Sequence, residues 1–81
     1  MPRYFFNTQD GEVDRDVEGV DCASPQEARL EALKLVGRML LDDPEMLRDD
    51  APTRVWVTDE TGKVWFEVDV VVAVSSRGDQ A

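Results

Sequence analysis

A helical pattern in the middle of the chain constrains the fold more than any other feature. Ser24-Pro25-Gln26-Glu27 has the form of a capping box with proline at the first helical position. Apolar residues then recur at helical spacing, and Asp43-Pro44 ends the pattern. The sequence therefore predicts one main helix over residues 25–41, whose apolar side must be buried against a small sheet.

The apolar side of this helix is wider than one sheet face needs. At about 100° per residue the apolar positions cover well over half of the circumference, whereas a helix on a single sheet shows a stripe of somewhat more than ~100°. Leu30, Gly37 and Leu41 extend beyond that stripe. Gly37 costs the helix about 1 kcal/mol relative to alanine, which a close backbone contact would offset. We expect further cover, from a short helical turn at residues 44–48 and the N-terminal segment, or from another protein.

Strand patterns precede the helix. Residues 3–8 (RYFFNT) are rich in aromatic side chains, which favour strands, and we interpret this cluster as a core strand rather than a platform for stacking bases. A polar loop or loose hairpin follows at residues 9–18. A second short strand fits residues 17–22, with Gly19 marking a bulge or a close backbone approach.

A β-hairpin is predicted after the helix, over residues 53–69, with its turn at Asp59-Glu60-Thr61-Gly62. Apolar residues at every second position from Val64 to Val74 are the strongest strand signal in the chain.

The register of this hairpin is open between two alternatives. An even-length loop pairs Val57 with Val64 and leaves Trp56 beside Trp65 on the outer face. A three-residue loop with a glycine bulge pairs Trp56 with Phe66 instead and exposes the valines. We favour the first because it keeps the β-branched residues together, and a one-residue slip would invert every side chain.

The elements together predict an α+β domain of order β-β-α-β-β, with one main helix packed on one face of a small antiparallel or mixed sheet. We expect one domain over residues 1–74 and a disordered tail over residues 75–81. A chain of 81 residues buries only about 60% of the surface that its unfolded form exposes, so self-association would help to stabilise it.

Charge excludes several classes of partner. Eighteen acidic residues against nine basic ones give a net charge of −9, which repels nucleic-acid phosphates and anionic membrane surfaces. No apolar run is long enough to span a bilayer, and the N-terminus lacks the pattern of a secretory signal. Cys22 is the only cysteine, which suits a reducing compartment. We predict a cytoplasmic protein that binds neither nucleic acid directly nor membranes.

The sequence lacks the residue combinations and motifs that common catalytic mechanisms require. The chain has no histidine, so no triad of the Ser/His or Cys/His type can form. It also has no glycine-rich phosphate loop or dinucleotide fingerprint. Cys22 has no histidine or second cysteine to act with, and we expect it to be buried and inert. We predict that the protein is not an enzyme and holds no cofactor.

Three acidic residues are weak candidates for a metal site. Asp14, Asp16 and Glu18, followed by Gly19, match the first half of a calcium loop. The position where such a loop needs a bidentate glutamate is Pro25. We interpret the segment as a solvated acidic edge that prevents strand pairing between molecules.

Several segments resemble one family when they are taken in order. They are MPRYFF at the start, Asp16 and Gly19 in DVEG, ARLEA within the helix, and VTDETG before the last strand. This combination, over roughly residues 1–70, resembles the short alphaproteobacterial proteins of the domain-of-unknown-function family 6894. The resemblance implies the same order of elements and a bacterial cytoplasmic setting, and it implies no activity.

Excess apolar surface without catalytic groups indicates a protein–protein interaction module or a homodimer. The residues expected at its interaction surface are Trp56, Trp65, Leu30, Gly37 and Leu41. The negative net charge permits an alternative function, that of an acidic regulator that occupies the basic site of a nucleic-acid-binding partner. A weaker alternative is a divalent-ion-binding domain at Asp14, Asp16 and Glu18.

Overall fold

One α-helix lies against a five-stranded antiparallel sheet in the computed structural model, which describes residues 2–46 and 52–72. The α+β class and the position of the helix between early and late strands are confirmed. The elements are β1 (Arg3–Gln9), β2 (Val13–Asp14), β3 (Val20–Asp21), α1 (Pro25–Asp42), a 3₁₀ turn (Pro44–Met46), β4 (Thr53–Asp59) and β5 (Val64–Val70).

The long first strand organises the sheet, whose order is β2-β1-β4-β5. One edge of β1 pairs with β4, with Phe6 opposite Val57. The other edge pairs with β2 near one end and with β3 near the other. The predicted second strand over residues 17–22 is therefore wrong in extent, because only Val20–Asp21 pairs there and a separate short strand precedes it. The loop between β2 and β3 lies beside the middle of this second edge of β1.

The core lies between α1 and one face of the sheet. Small side chains, Ala28 and Ala32, are fully buried on the helix, which lets its backbone approach the strands closely. Tyr4 belongs to this core and Phe6 packs against it, so the opening aromatic cluster is a core strand as predicted. The buried hydrophobic residues are Tyr4, Cys22, Ala28, Ala32, Val36, Val55 and Val57.

The start of α1 follows the predicted capping pattern. The Ser24 hydroxyl accepts a hydrogen bond from the backbone N–H of Glu27 at 3.2 Å. The Glu27 carboxylate in turn accepts one from the backbone N–H of Ala23 at 3.3 Å, one residue before the position expected for a capping box. The helix ends at Asp42, one residue beyond the prediction. The turn predicted at residues 44–48 is present as far as residue 46.

Both predicted registers of the β4–β5 hairpin are wrong. Val57 lies opposite Phe66, whereas the next residue, Thr58, lies opposite Val64. Trp65 is therefore an additional residue on β5, a β-bulge that neither alternative contained. Val55 and Val57 are buried together, so the face assignment of the favoured alternative holds although its pairing does not.

Several predictions lie outside the described residues. They include residues 47–48 of the predicted turn, residues 73–74 of the predicted domain and the tail over residues 75–81. Within the described residues, no helix combines the length and the apolar character that crossing a membrane requires.

Candidate interaction surface

Leucines on α1 point away from the sheet. Leu30 is 53% exposed and Leu41 is 81% exposed, and Leu33 is also exposed. At about 100° per residue these leucines and Gly37 fall within about 80° of arc, opposite the buried alanines. We call Leu30, Leu33, Gly37 and Leu41 the outer stripe. Two of its leucines and its glycine are residues that the sequence had assigned to an interaction surface.

Gly37 forms a shallow notch near the middle of the outer stripe. A Cβ atom added to it would meet no other atom within 4 Å. Among the described residues, therefore, no close contact explains why this helical position lacks a side chain. The close backbone contact that the sequence led us to expect at Gly37 is therefore absent from the described part of the chain.

One edge of the outer stripe carries charges in a particular order. Glu27 and Glu31 lie toward the start of α1, and Lys34 and Arg38 follow toward its end. Lys34 Nζ and Glu31 Oε1 are 3.4 Å apart, an exposed ion pair that contributes little stability. The whole helix balances its charge, since Glu27, Glu31 and Asp42 are matched by Arg29, Lys34 and Arg38. The outer stripe thus lies on a neutral helix in a chain of net charge −9.

The two tryptophans lie away from α1 and are engaged within the chain. Trp56 lies opposite Glu67 in the β4–β5 register, so the predicted pairing of Trp56 with Trp65 is wrong. The Arg15 guanidinium lies 5.8 Å from the centroid of the Trp56 ring. Lys63 Nζ lies 4.2 Å from the ring of Trp65. Such cation–π contacts cover part of each aromatic face.

Asp59 organises the hairpin turn and holds Trp65. Its carboxylate accepts hydrogen bonds from the Thr61 hydroxyl at 2.6 Å and from the Trp65 indole N–H at 2.9 Å. It also accepts from the backbone N–H groups of Thr61 and Lys63. The hydrogen bonds from the Thr61 and Trp65 side chains are the main reason that the pKa of Asp59 falls from 3.8 to about 2. The turn therefore depends on an ionised Asp59.

Asp16 closes the gap between β2 and β3. Its carboxylate accepts hydrogen bonds from the backbone N–H of Phe6 at 3.1 Å and from those of Glu18 and Gly19 at 3.0 Å. Its own N–H donates to the Asn7 side-chain oxygen at 3.1 Å. Burial alone would raise the pKa of Asp16, but the three backbone donors together lower it. We call this reciprocal arrangement the Asn7–Asp16 clamp.

Sequence reasoning missed the Asn7–Asp16 clamp, although one signal pointed to it. Asp16 and Glu18 have the two-residue spacing of an Asx turn, and a glycine follows them. Gly19 has a φ of 75°, and an added Cβ would lie 2.6 Å from Arg3 Cγ. The predicted close approach at Gly19 is present, but it is made by a side chain.

The three metal candidates do not form a ligand set. Asp16 is committed to the Asn7–Asp16 clamp, and Asp14 lies in β2 with its side chain exposed. Among the described residues no group of three His, Cys, Asp or Glu side chains is arranged to hold a metal ion. The segment has the character of a solvated, hydrogen-bonded loop.

Cys22 is fully buried, as predicted. Burial raises the pKa of its thiol, and the acidic residues Glu27, Glu31 and Asp21 add to that effect. The reactive form of a cysteine is the thiolate, so this environment suppresses its chemistry.

Size alone does not exclude the surface cavities as ligand sites, since their volumes range from about 290 to about 590 Å³. One of about 290 Å³ lies between α1 and the loop before β3, lined in part by Phe6, Asp16, Leu35 and Arg38. Ligand pockets are typically about 300–1,000 Å³. Within the described residues every buried side-chain nitrogen or oxygen has a hydrogen-bond partner. These cavities thus present no unpaired buried group for recognising a small molecule.

Comparison with known proteins identified one family. A family model described as a domain of unknown function (DUF6894) matches residues 3–71. The chain belongs to this family. The family expected from the resemblance is thereby confirmed. No curated protein and no solved structure matched the chain.

The DUF6894 match begins at the first residue of β1 and ends one residue after β5. It therefore includes the Asn7–Asp16 clamp, the outer stripe and the Asp59 turn. Membership in DUF6894 brings no activity with it, so the function is argued from geometry and charge.

Proposed function

We propose that this protein is a small interaction module without catalytic activity, which docks another protein chain through the outer stripe. The observation that carries this proposal is the exposure of Leu30 and Leu41 on a helix whose opposite side already fills the core. We further propose that it acts in the cytoplasm, where its one cysteine would stay reduced.

The energetics of the outer stripe favour docking. Fully burying one leucine contributes about 1.5–3 kcal/mol. Leu30, Leu33 and Leu41 are 53%, 43% and 81% exposed, so covering all three supplies on the order of a few kcal/mol. Single exposed leucines are ordinary on protein surfaces, but these lie side by side on one helix face.

The outer stripe is a better docking surface than the tryptophans. The Trp65 indole N–H is already bonded to Asp59 at 2.9 Å, and Lys63 lies over its ring. Trp56 is half-buried beneath Arg15. A partner at that surface would have to displace these contacts, whereas the leucine side chains of the outer stripe make no hydrogen bond or cation–π contact that a partner would have to break.

A second candidate function rests on charge. Exposed acidic residues crowd the segment between β1 and α1, among them Asp10, Glu12, Asp14 and Glu18. With a net charge of −9, the protein would suit an acidic regulator that occupies the basic site of a nucleic-acid-binding protein. Such binding would weaken steeply with salt, whereas docking through leucines would change little.

Site-specific photo-cross-linking in living cells tests the proposal. A photoreactive amino acid replaces Leu41 in one variant and Val17 in the matched control, because Val17 is 85% exposed and lies in the acidic loop. The proposal predicts a protein adduct at position 41 and a weaker one or none at position 17. Adducts at position 17 alone would favour the acidic regulator and contradict docking through the outer stripe.

A further inference from the structure

We propose that the open edge of β5 is a further binding surface, which takes up an extended segment of another protein as an additional antiparallel strand. Basic side chains on one face of that segment and apolar side chains on the other would match β5. This surface is separate from the outer stripe, because it is the last strand of the sheet. The proposal follows from the topology of the sheet, from the direction of the backbone groups of β5 and from the charges beside them.

The two edges of the sheet differ in what covers them. β2 and β3 pair with the outer edge of β1, and between them the Asp16 carboxylate accepts the N–H of Phe6. At the opposite end of the strand order, β5 pairs with β4 alone among the described residues. The strand Val64–Val70 contains neither proline nor lysine, which commonly protect an edge from pairing. A strand of this length can accept another strand along its open side.

Two residues of β5 direct their backbone groups toward the open side. The N–H of Asp59 donates to the carbonyl of Lys63 at 3.0 Å, so Asp59 and every second residue before it on β4 face β5. Opposite those residues lie the even-numbered residues of β5 from Phe66 onward, which therefore bond to β4. Glu67 and Asp69 alternate with them and face outward. Each offers one N–H donor and one carbonyl acceptor to an incoming strand.

The face of β5 that contacts α1 is incompletely covered. Phe66, Val68 and Val70 pack against the core but are only half-buried, whereas Val55 and Val57 on the neighbouring strand are fully buried. The difference arises because β4 has a strand on each side and, within the described residues, β5 has a strand on one side only. Apolar side chains at alternate positions of an added strand would cover this half-buried row.

The opposite face of β5 selects a basic strand. Arg54 Nε lies 2.9 Å from Asp69 Oδ1 and 3.5 Å from Glu67 Oε1, so one guanidinium serves two exposed carboxylates. In an antiparallel pair, the residues directly opposite Glu67 and Asp69 lie on the same face, and lysine or arginine there would balance the remaining charge. A second copy of this chain is disfavoured, because its own β5 would bring the same excess of carboxylates and a net charge of −9.

Peptide binding followed by NMR tests the proposal on the wild-type protein. The probe is a capped peptide of about nine alternating lysine and valine residues, long enough to span β5. We expect a dissociation constant on the order of tens of micromolar, because one strand is smaller than a standard interface. Amide exchange of Glu67 and Asp69 should be fast in the free protein and at least about tenfold slower at saturating peptide.

Two N-methylated peptides separate strand addition from attraction by charge alone. Both keep every lysine charge, but methylation of the lysine backbone nitrogens removes the donors that face β5, whereas methylation of the valine nitrogens removes donors that face away. The first peptide should lose the protection of Glu67 and Asp69, and the second should retain it.

A matched pair of protein variants tests the same edge. Glu67→Pro removes a donor that faces the open side, so the β4–β5 ladder stays intact, and Glu67→Thr removes the same carboxylate but keeps the donor. Binding of the unmethylated peptide should be abolished in Glu67→Pro and only weakened severalfold in Glu67→Thr. Circular dichroism checks that both variants are folded.

Three results would overturn the proposal. The first is unchanged exchange of Glu67 and Asp69 at about 1 mM peptide. The second is protection that survives methylation of the lysine nitrogens, and the third is protection that develops with protein concentration in the absence of peptide, which would make a second copy the occupant. None of these results affects the outer stripe, which cross-linking at position 41 tests separately.

Discussion

The backbone N–H of Asp16 donates to the side-chain oxygen of Asn7 at 3.1 Å, while the Asp16 carboxylate accepts the N–H of Phe6 at 3.1 Å. The loop between β2 and β3 is thus fastened to the middle of β1 by side chains where a strand would use its backbone. Asn7 is itself buried and also donates to the Trp56 carbonyl at 3.3 Å. One buried amide therefore joins the loop, β1 and β4.

Asp16→Ala should lower the free energy of unfolding by about 2–3 kcal/mol, because three backbone donors lose a charged acceptor. Urea denaturation followed by tryptophan fluorescence measures the change. Asp14→Ala is the control, since it removes the same charge from an exposed neighbour and should change stability by less than about 0.5 kcal/mol. Equal effects of the two substitutions would show that charge, not the Asn7–Asp16 clamp, is responsible.

Acid should release the hairpin turn only at very low pH. The pKa of Asp59 in the folded protein is about 2, below its ordinary 3.8. Its contribution to stability is therefore complete above about pH 4 and is lost as pH falls toward 2. The indole N–H signal of Trp65 in NMR spectra should move with a midpoint near pH 2, and Asp59→Asn should abolish that transition. A midpoint near pH 4 would mean that Asp59 is not held by Thr61 and Trp65.

Two glycines should respond oppositely to alanine. Gly19→Ala should destabilise the fold by about 1–2 kcal/mol, because alanine disfavours positive φ and its Cβ would collide with Arg3. Gly37→Ala should stabilise the folded chain by up to about 1 kcal/mol, since the helix gains propensity and the position is open. Thermal unfolding of both variants at low protein concentration measures the monomer. A destabilising Gly37→Ala would reveal an intramolecular contact at the notch and would weaken the account of the outer stripe.

Cys22 should resist thiol reagents in the native protein. The side chain is fully buried, and the pKa of its thiol is raised by burial and by nearby acidic residues. Reaction with an aromatic disulfide at pH 8 should be at least about 100-fold slower than in denaturant, because it requires opening of the fold. An immediate reaction in native buffer would contradict the buried position of this residue between β3 and the start of α1.

Local signals accounted for the helix and for most strands, and side-chain interactions and pairing between elements accounted for the errors. The cap at Ser24 and the helical spacing of apolar residues are local, and both predicted α1 to within one residue. The bulge at Trp65 depends on the Asp59 turn and on pairing with β4. Alternation of apolar and polar residues in the sequence cannot predict such a bulge. The Asn7–Asp16 clamp joins residues nine apart through a side chain.

The exposure of the candidate residues could be predicted only in part, for a related reason. Helical periodicity showed that Leu30 and Leu41 lie beyond the core stripe, and both are exposed. Trp56 and Trp65 were assigned to the same surface from the favoured hairpin register, but their contacts with Arg15 and Lys63 depend on the three-dimensional arrangement of loops.

Methyl NMR of the leucines tests the central claim most directly. Spectra of the labelled protein are recorded over a concentration series and then in an extract of the cells that produce it. We predict that the methyl signals of Leu30, Leu33 and Leu41 shift or broaden in at least one of these conditions, while those of Val17, which is more exposed than any of them, do not. Unchanged outer-stripe signals in both would contradict docking through α1.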